Sequence, residues 1–378
     1  MKTRIAIFHF SPLELFPPVM NLLSVLEASM DDQTEVIVYS TYAKEGHMMF
    51  STQGGRIKIR RLARFTYGLP VASRYFQYCS YYFRSLVSCL TYKPDRILYF
   101  ETISSLTPIL LSRLPGRKPE LFIHYHEYMN NEEYQKMFLN RSFHKMEMKI
   151  YSQAKWISQT NADRMAMFLR DIGRAGLSNT HILPNYPPAS WNKGSHEKSL
   201  GKPLRLVYVG SLGSMDLLYI REVVQWVGSR GGELSLDIYC FQVPEEIRRF
   251  IRDQHCDFVH LKGQVAYNKL PDILPQYDVG LILYKGGPDN TIYSVSNKMY
   301  EYLVCGLDVW YPKEVTGSHG LDSPELWPKV LRLDFSDLKQ YNLAELSYHR
   351  PGFAREIDFS CEAASHDLVT LLIEKNSP

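Results

Sequence analysis

Twice along this chain, short apolar strands alternate with helical stretches, and the two runs are separated by HILPNYPPASWNKGSHEKSLGKP, residues 181–203. In the first run RIAIFHF (4–10), EVIVYST (35–41), RIKIRRL (56–62), DRILYFE (95–101) and LFIHYHE (121–127) read as strands. PVMNLLSVLEASM (18–30) and an aromatic stretch from about 68 to 91 carry apolar residues at helical spacing. The second run restarts with LRLVYVGSLG (204–213), LSLDIYCF (234–241), DVGLILY (278–284) and DVWYP (308–312), again with helices between. Strand, helix, strand in series implies a parallel sheet wound on both faces, so the expected fold class is α/β with two Rossmann-like domains facing a cleft. At 378 residues the chain also exceeds what one core normally supports. The expected division is 1–187 for a first Rossmann-like domain, 188–203 for a proline- and glycine-rich linker and 204–350 for a second Rossmann-like domain. Residues 351–378 read as a helical segment able to cross back to the first domain.

Charge separates the two runs. Residues 1–200 hold 25 Lys and Arg against 16 Asp and Glu, whereas residues 201–378 hold 18 against 24. A basic first half suits an anionic membrane surface or an acidic substrate, and the acidic second half argues against nucleic acid as a partner. RIKIRRLARFTYGLPVASRYFQYCSYYFRS (56–85) interleaves basic and aromatic residues, which suits peripheral contact with an anionic membrane as well as an ordinary solvated face over an aromatic core. The amino-terminal stretch reads as a first strand, interrupted by His9 and Pro12, and no window approaches the length of a spanning helix. The six cysteines show no metal-type spacing, so no metal site is expected, and a reducing cytoplasm, at the inner face of the cell membrane for a peripheral protein, fits best.

Two stretches of the second run carry candidate chemistry. YVGSLGSMD (208–216) ends a buried strand in a loop of Gly210, Ser211, Leu212 and Gly213, and two glycines let the backbone turn into the helix expected from residue 217. The free N–H groups and positive dipole end of such a helix suit a diphosphate, and the same residues also serve a plain strand-to-helix turn. SVSNKMYEYLVCGLDVW (294–310) predicts a helix from Asn297 to Cys305 with Lys298, Glu301 and Tyr302 in its first two turns. The dipole disfavours a lysine there unless something anionic lies near. A nucleotide-sugar would supply it, with Glu301 accepting from the ribose hydroxyls and Lys298, Ser294, Ser296 and the amide of Asn297 facing phosphate. Capping by Ser296 or Asn297, with Glu301 in local electrostatics, accounts for the pattern equally well.

ILPNYP, YVGSLG, YDVGLILY and NKMYEYLVCGLDV stand in the order and at roughly the distances seen in GT-B glycosyltransferases of the glycosyltransferase 4 type, which the second half of the chain resembles closely and the first half loosely. The resemblance implies a hexosyltransferase of polysaccharide biosynthesis. Such an enzyme moves a sugar from a nucleoside diphosphate donor to a saccharide or lipid-linked acceptor, with retention of configuration and without a cofactor or a required metal. It sets Gly210, Ser211 and Gly213 against the diphosphate, Glu301 on the ribose, Lys298 and Tyr302 in a subgroup motif, and Asn185 just before the crossover. Many members carry an arginine after the first loop glycine and a lysine a turn later, where this chain has Ser211 and then Asp216 and Leu217. The family's second acid, separated from Glu301 by seven intervening residues, is replaced by Tyr293, so phosphate neutralisation falls to Lys298, Lys285 or a basic residue of the first domain.

In the first half IHYHEY (123–128) places His126 and Glu127 at the carboxyl edge of the sheet, where such folds bind ligands. His126 can contact the donor sugar or the leaving group, and Glu127 can bind an acceptor hydroxyl or orient His126. His124 and His126 can equally be strand residues satisfied locally. The loop HFSPLELFPP offers Ser11 and Glu14 as acceptor contacts. A nucleotide-sugar epimerase of the same fold and a non-catalytic nucleotide-sugar-binding scaffold are the alternatives.

Overall fold

The computed structural model describes residues 2–43, 49–64, 70–116, 118–192, 203–348, 356 and 358–374. The chain divides into two compact units, Met1–Asn185 with Cys361–Pro378, and Tyr186–Ser360.

The first unit is a seven-stranded sheet in the order β3-β2-β1-β4-β5-β6-β7, formed by Thr3–His9, Thr34–Tyr42, Ile57–Arg64, Arg96–Phe100, Glu120–Tyr125, Trp156–Gln159 and Thr180–Ile182 as β1 to β7. All pairings are parallel, with Ile5 opposite Val36 on one side and Arg96 on the other. Strands covered on both faces read as continuous apolar runs, which is how IAIF, IVYS and ILYF stood out. One face packs under helix Val71–Tyr92 through Tyr81, Tyr82 and Cys89. The other carries helix Pro17–Ser29, whose Val19, Leu22, Leu23 and Leu26 are buried together with Leu368, Val369 and Leu372 of helix Cys361–Ile373. Arg96, itself buried, donates to the Leu372 carbonyl at 2.9 Å and so ties this last helix to β4.

The basic row of β3 is divided between inside and outside. Arg56, just before β3, is exposed and donates to the carbonyls of Met30 and Glu27, whereas Arg61 is drawn inward by its ion pair with Glu14. Lys58, Arg60 and Arg64 remain exposed on the sheet's edge strand. Within 56–85, residues 65–69 lie outside the described residues.

The second unit repeats the plan with β8 to β13, namely Leu204–Val209, Leu234–Tyr239, Val259–Gly263, Val279–Leu281, Asp308–Pro312 and Val330–Leu333, in the parallel order β10-β9-β8-β11-β12-β13. Residues read as linker by composition begin inside this unit. Trp191 is buried in its core, and Tyr186 packs edge-on against Tyr300, because apolar bulk at these positions outweighs the surrounding prolines. Of the stretch 188–203, residues 193–202 lie outside the described residues, as do 349–355, 357 and 375–378 at the carboxyl end.

Candidate functional site

In both sheets the strand order reverses beside the first strand, at β1/β4 and at β8/β11. Open parallel sheets bind ligands beyond the carboxyl ends of the strands at such a reversal, and the candidate residues collect there.

At the second reversal, β8 runs into the glycine loop. The Gly210 amide donates to the Tyr239 carbonyl at 3.0 Å, and the Tyr208 hydroxyl donates to the Ser211 carbonyl at 2.9 Å, so the ring folds back against the turn. A Cβ on residue 210 would lie 3.1 Å from that hydroxyl, which explains the first glycine. Ser211 and Gly213 are exposed, whereas Leu212 is buried in the core. Leu212 therefore anchors the loop through its side chain, so only its backbone could meet a donor. The helix also starts later than expected, at Ile220, so Gly213 does not open it. The intervening residues are stitched to the strand side instead, with the Tyr219 amide on the Leu283 carbonyl at 2.7 Å and the Lys285 amide on the Leu217 carbonyl at 2.9 Å. The Lys285 ammonium lies 2.8 Å from the Glu222 carboxylate in the first turn of that helix, and 5.1 Å from the centre of the Tyr219 ring. Its charge is compensated within the protein, so Lys285 does not stand as a free phosphate ligand.

Helix Asn297–Val304 is fixed at the same reversal by one residue. The Tyr302 hydroxyl accepts the Val209 amide at the end of β8, 3.0 Å away, and its ring covers Gly280 on β11. The helix closes through Gly306 at φ 77°, with the Leu307 amide on the Tyr302 carbonyl and the Gly306 amide on the Leu303 carbonyl, both at 3.0 Å. At its start Ser296 is the capping residue but makes no side-chain capping bond, and Asn297 is the first helical residue. The Ser294 hydroxyl donates to the Thr291 carbonyl at 2.8 Å in a buried position, which commits its proton. Lys298 and Glu301 meet each other, at 2.7 Å, with the Glu301 side chain 2% exposed and that of Lys298 20%. The lysine near the helix start is thus balanced by the glutamate one turn later.

At the first reversal three groups converge from three strands. His9 ends β1, Glu101 follows β4, and His126 follows β5. His9 donates from Nδ1 to the Ser11 carbonyl at 2.7 Å, and the same carbonyl accepts the Ser40 hydroxyl at 2.9 Å, so Ser11 acts through its backbone. His126 stacks on Phe100 with ring centres 5.1 Å apart, and its Nδ1 lies 3.2 Å from His124 Nε2 and 3.3 Å from Asn185 Oδ1. Trp156 donates to Ser158 Oγ at 2.8 Å, and Ser158 Oγ lies 2.8 Å from His124 Nδ1. The Asn185 oxygen can only accept, so neutral His126 carries its proton on Nδ1, His124 Nε2 accepts on the same side, the Ser158 hydroxyl donates to the Ile123 carbonyl, and His126 Nε2 is left without a proton. This nitrogen is buried and has no hydrogen-bond partner among the described residues. An unpartnered buried acceptor at a ligand-binding edge is a costly feature unless something completes it.

Glu127, by contrast, is exposed and does not orient His126, since His124 and Asn185 hold that ring. Glu14 is also not free for an acceptor, because its carboxylate is ion-paired to Arg61 and accepts the Phe50 amide at 2.7 Å. The residue that sequence reasoning missed is Glu101. Its φ of 61° and ψ of 150° lie in a region that glycine favours, a strain of about 1–3 kcal/mol. Its carboxyl accepts the amides of His126 at 2.7 Å and Glu127 at 3.2 Å, bracing the turn that presents both. Its place at the carboxyl end of a strand beside the reversal was the available signal.

Burial governs ionisation here. It lowers His9 to about 4, lowers His124 to about 3, and holds His126 well below the usual histidine value, with His124 and His9 adding to the effect. Burial, reinforced by the Glu127 charge, lifts Glu101 to about 8 against the opposing amide bonds. The imidazoles stay neutral in the fold while unfolded histidine protonates near 6.5, so their contribution to stability falls as pH drops below that value. Glu101 stays protonated in the fold up to about pH 8 while the unfolded carboxyl ionises near 4.5, so stability falls as pH rises between the two. Urea midpoints measured across pH are expected to peak near the histidine value. Glu101→Gln, which keeps the acceptor oxygen, should flatten the alkaline limb and leave the acid limb unchanged.

No family model matches this chain, and no curated protein does. Solved structures do. A sucrose-phosphate synthase from Thermosynechococcus elongatus superposes with a TM-score of 0.63 at 15% identity, covering 98% of this chain and 95% of that one. Anabaena HepE, solved in complex with UDP and glucose, gives 0.64 at 12% identity over 98% and 97%. The S. aureus MnaA–UDP structure gives 0.61 at 14% over 100% and 99%. With the two parallel sheets described above, these likenesses establish the GT-B fold, two Rossmann-like domains in one chain.

Proposed function

We propose that this protein is a glycosyltransferase that takes a sugar from a nucleoside diphosphate donor held by its second unit and delivers it to a saccharide or lipid-linked acceptor. The observation that carries this reading is the buried Lys298–Glu301 pair, set at the strand-order reversal by Tyr302. A ribose offers hydroxyls to the Glu301 carboxylate, which lets Lys298 turn to a phosphate. The start of helix Asn297–Val304, whose Ser296 side chain caps none of its amides, adds N–H groups for the same charge. In the reaction the bond from the anomeric carbon to the diphosphate oxygen breaks, a bond to the acceptor oxygen forms, and the acceptor loses its proton. Lys298 and the helix amides stabilise the charge that builds on the departing diphosphate. His126, neutral and bare on Nε2, accepts a hydrogen bond from an acceptor hydroxyl. Retention of configuration, and no requirement for a metal, belong to the same proposal. HepE and MnaA, each solved with UDP, make a uridine nucleotide the first donor to try.

The test is to incubate the protein with a panel of nucleotide-sugars, with and without candidate acceptors. Diphosphate release that depends on acceptor, and is unchanged by chelator, is the expected result. An epimerase is the second reading, because structures described as UDP-N-acetylglucosamine 2-epimerases also superpose on this chain, with a TM-score of 0.59. Interconversion of donor sugars without acceptor would establish that reading instead. Nucleotide binding without turnover would leave a scaffold.

A further inference from the structure

Helix Val71–Tyr92 has two apolar faces, and only one of them is covered. Tyr81, Tyr82 and Cys89 go into the core of the first unit. On the opposite side Ala72, Phe76, Cys79, Phe83, Val87 and Leu90 recur at intervals of three and four residues and are all exposed. Phe76 and Phe83 are 71% and 69% exposed, and Val87 and Leu90 each 48%. Five turns of uninterrupted apolar surface exceed the scattered exposure that solvated helices normally show.

Beside this stripe runs a row of cations. Arg84 donates to the Leu62 carbonyl at 2.7 Å, and Arg60 donates to Ser88 at 2.5 Å, so the helix lies along the edge strand β3. That strand exposes Lys58, Arg60 and Arg64. Between residues 56 and 92 the chain holds seven Lys and Arg and no Asp or Glu. Among the described residues no helix is long and apolar enough to cross a membrane.

We infer that the exposed face of helix Val71–Tyr92 docks on the surface of an anionic lipid bilayer. The stripe inserts at the level of the head groups and the β3 cations lie against lipid phosphates. Charge selects this occupant. An antiparallel two-fold pairing of copies through the same face would set the cation rows against each other, whereas anionic head groups neutralise them.

Sedimentation with vesicles of phosphatidylcholine alone, or mixed with phosphatidylglycerol, tests the inference. Binding is expected to the mixed vesicles and to weaken with added salt. Phe76→Ser with Phe83→Ser should reduce it at least about tenfold, and Arg60→Gln with Arg64→Gln should remove most of the preference for anionic lipid, about fivefold per charge. The two phenylalanines are solvent-exposed, so an unchanged melting profile confirms that the double variant is folded. Absence of vesicle binding, or binding that the phenylalanine variant leaves intact, would overturn the inference. So would a self-association that the variant abolishes without any vesicle binding, since the face would then belong to a second copy.

Discussion

Gly280→Ala is expected to destabilise the second unit by about 3 kcal/mol or more, toward the upper end for overpacking a closed core. A Cβ there would lie 2.2 Å from two carbons of the Tyr302 ring, and that ring has no room to withdraw because Tyr302 is fully buried. The damage should reach the site, since the same side chain accepts the Val209 amide immediately before the glycine loop. Urea unfolding would show a lowered midpoint with little change in slope. Tyr302→Leu in the same background should recover part of the loss, because it removes the clashing ring. A Gly280→Ala protein as stable as wild type would mean that Tyr302 is not wedged between β8 and β11 as described.

The second large effect concerns the ion pair. Lys298→Ala leaves the Glu301 carboxylate buried without its cation, and removing one partner of a buried pair costs about 3–5 kcal/mol. The partial exposure of Lys298 moves the expectation to about 2–3 kcal/mol. Adding Glu301→Gln should restore most of that stability by removing the stranded charge. Glu301→Ala alone should be milder in stability, since Lys298 can turn to water, yet it should abolish stabilisation by a nucleoside diphosphate if Glu301 receives the ribose. Thermal shifts of the three variants with and without nucleotide separate these outcomes. Equal nucleotide shifts in wild type and Glu301→Ala would remove the ribose contact from the proposal.

The strands were legible because parallel strands covered on both faces must be apolar throughout, so DRILYFE and DVGLILY announce themselves. The helix at Asn297 was legible from its spacing and from Gly306. What spacing does not contain is partner choice. Lys298 and Glu301 stood in the sequence as two groups awaiting a ligand, and the fold gives them to each other. Lys285 was similarly taken by Glu222, which precedes it by two βα units and a further strand in sequence. Glu14 looked like an exposed loop acid, yet it meets Arg61 from β3. Glu101 could be placed at the carboxyl end of a strand from the sequence, but its carboxyl's hold on the His126 and Glu127 amides and its backbone angle are not encoded in any side-chain pattern. Composition misled at Trp191, where one large ring in a proline-rich stretch fills a core position.

Helix Cys361–Ile373 closes the hydrophobic layer over helix Pro17–Ser29, although the two are separated by nearly the whole sequence. On the ribosome, where domains ordinarily fold in the order they emerge, the first unit must therefore wait. Its sheet can assemble early, but the groove left for Leu368, Val369 and Leu372 stays open until the second unit has been synthesised. The nascent chain carries a sticky, unfinished surface for most of its translation, and the last helix acts as the latch that ends this exposure.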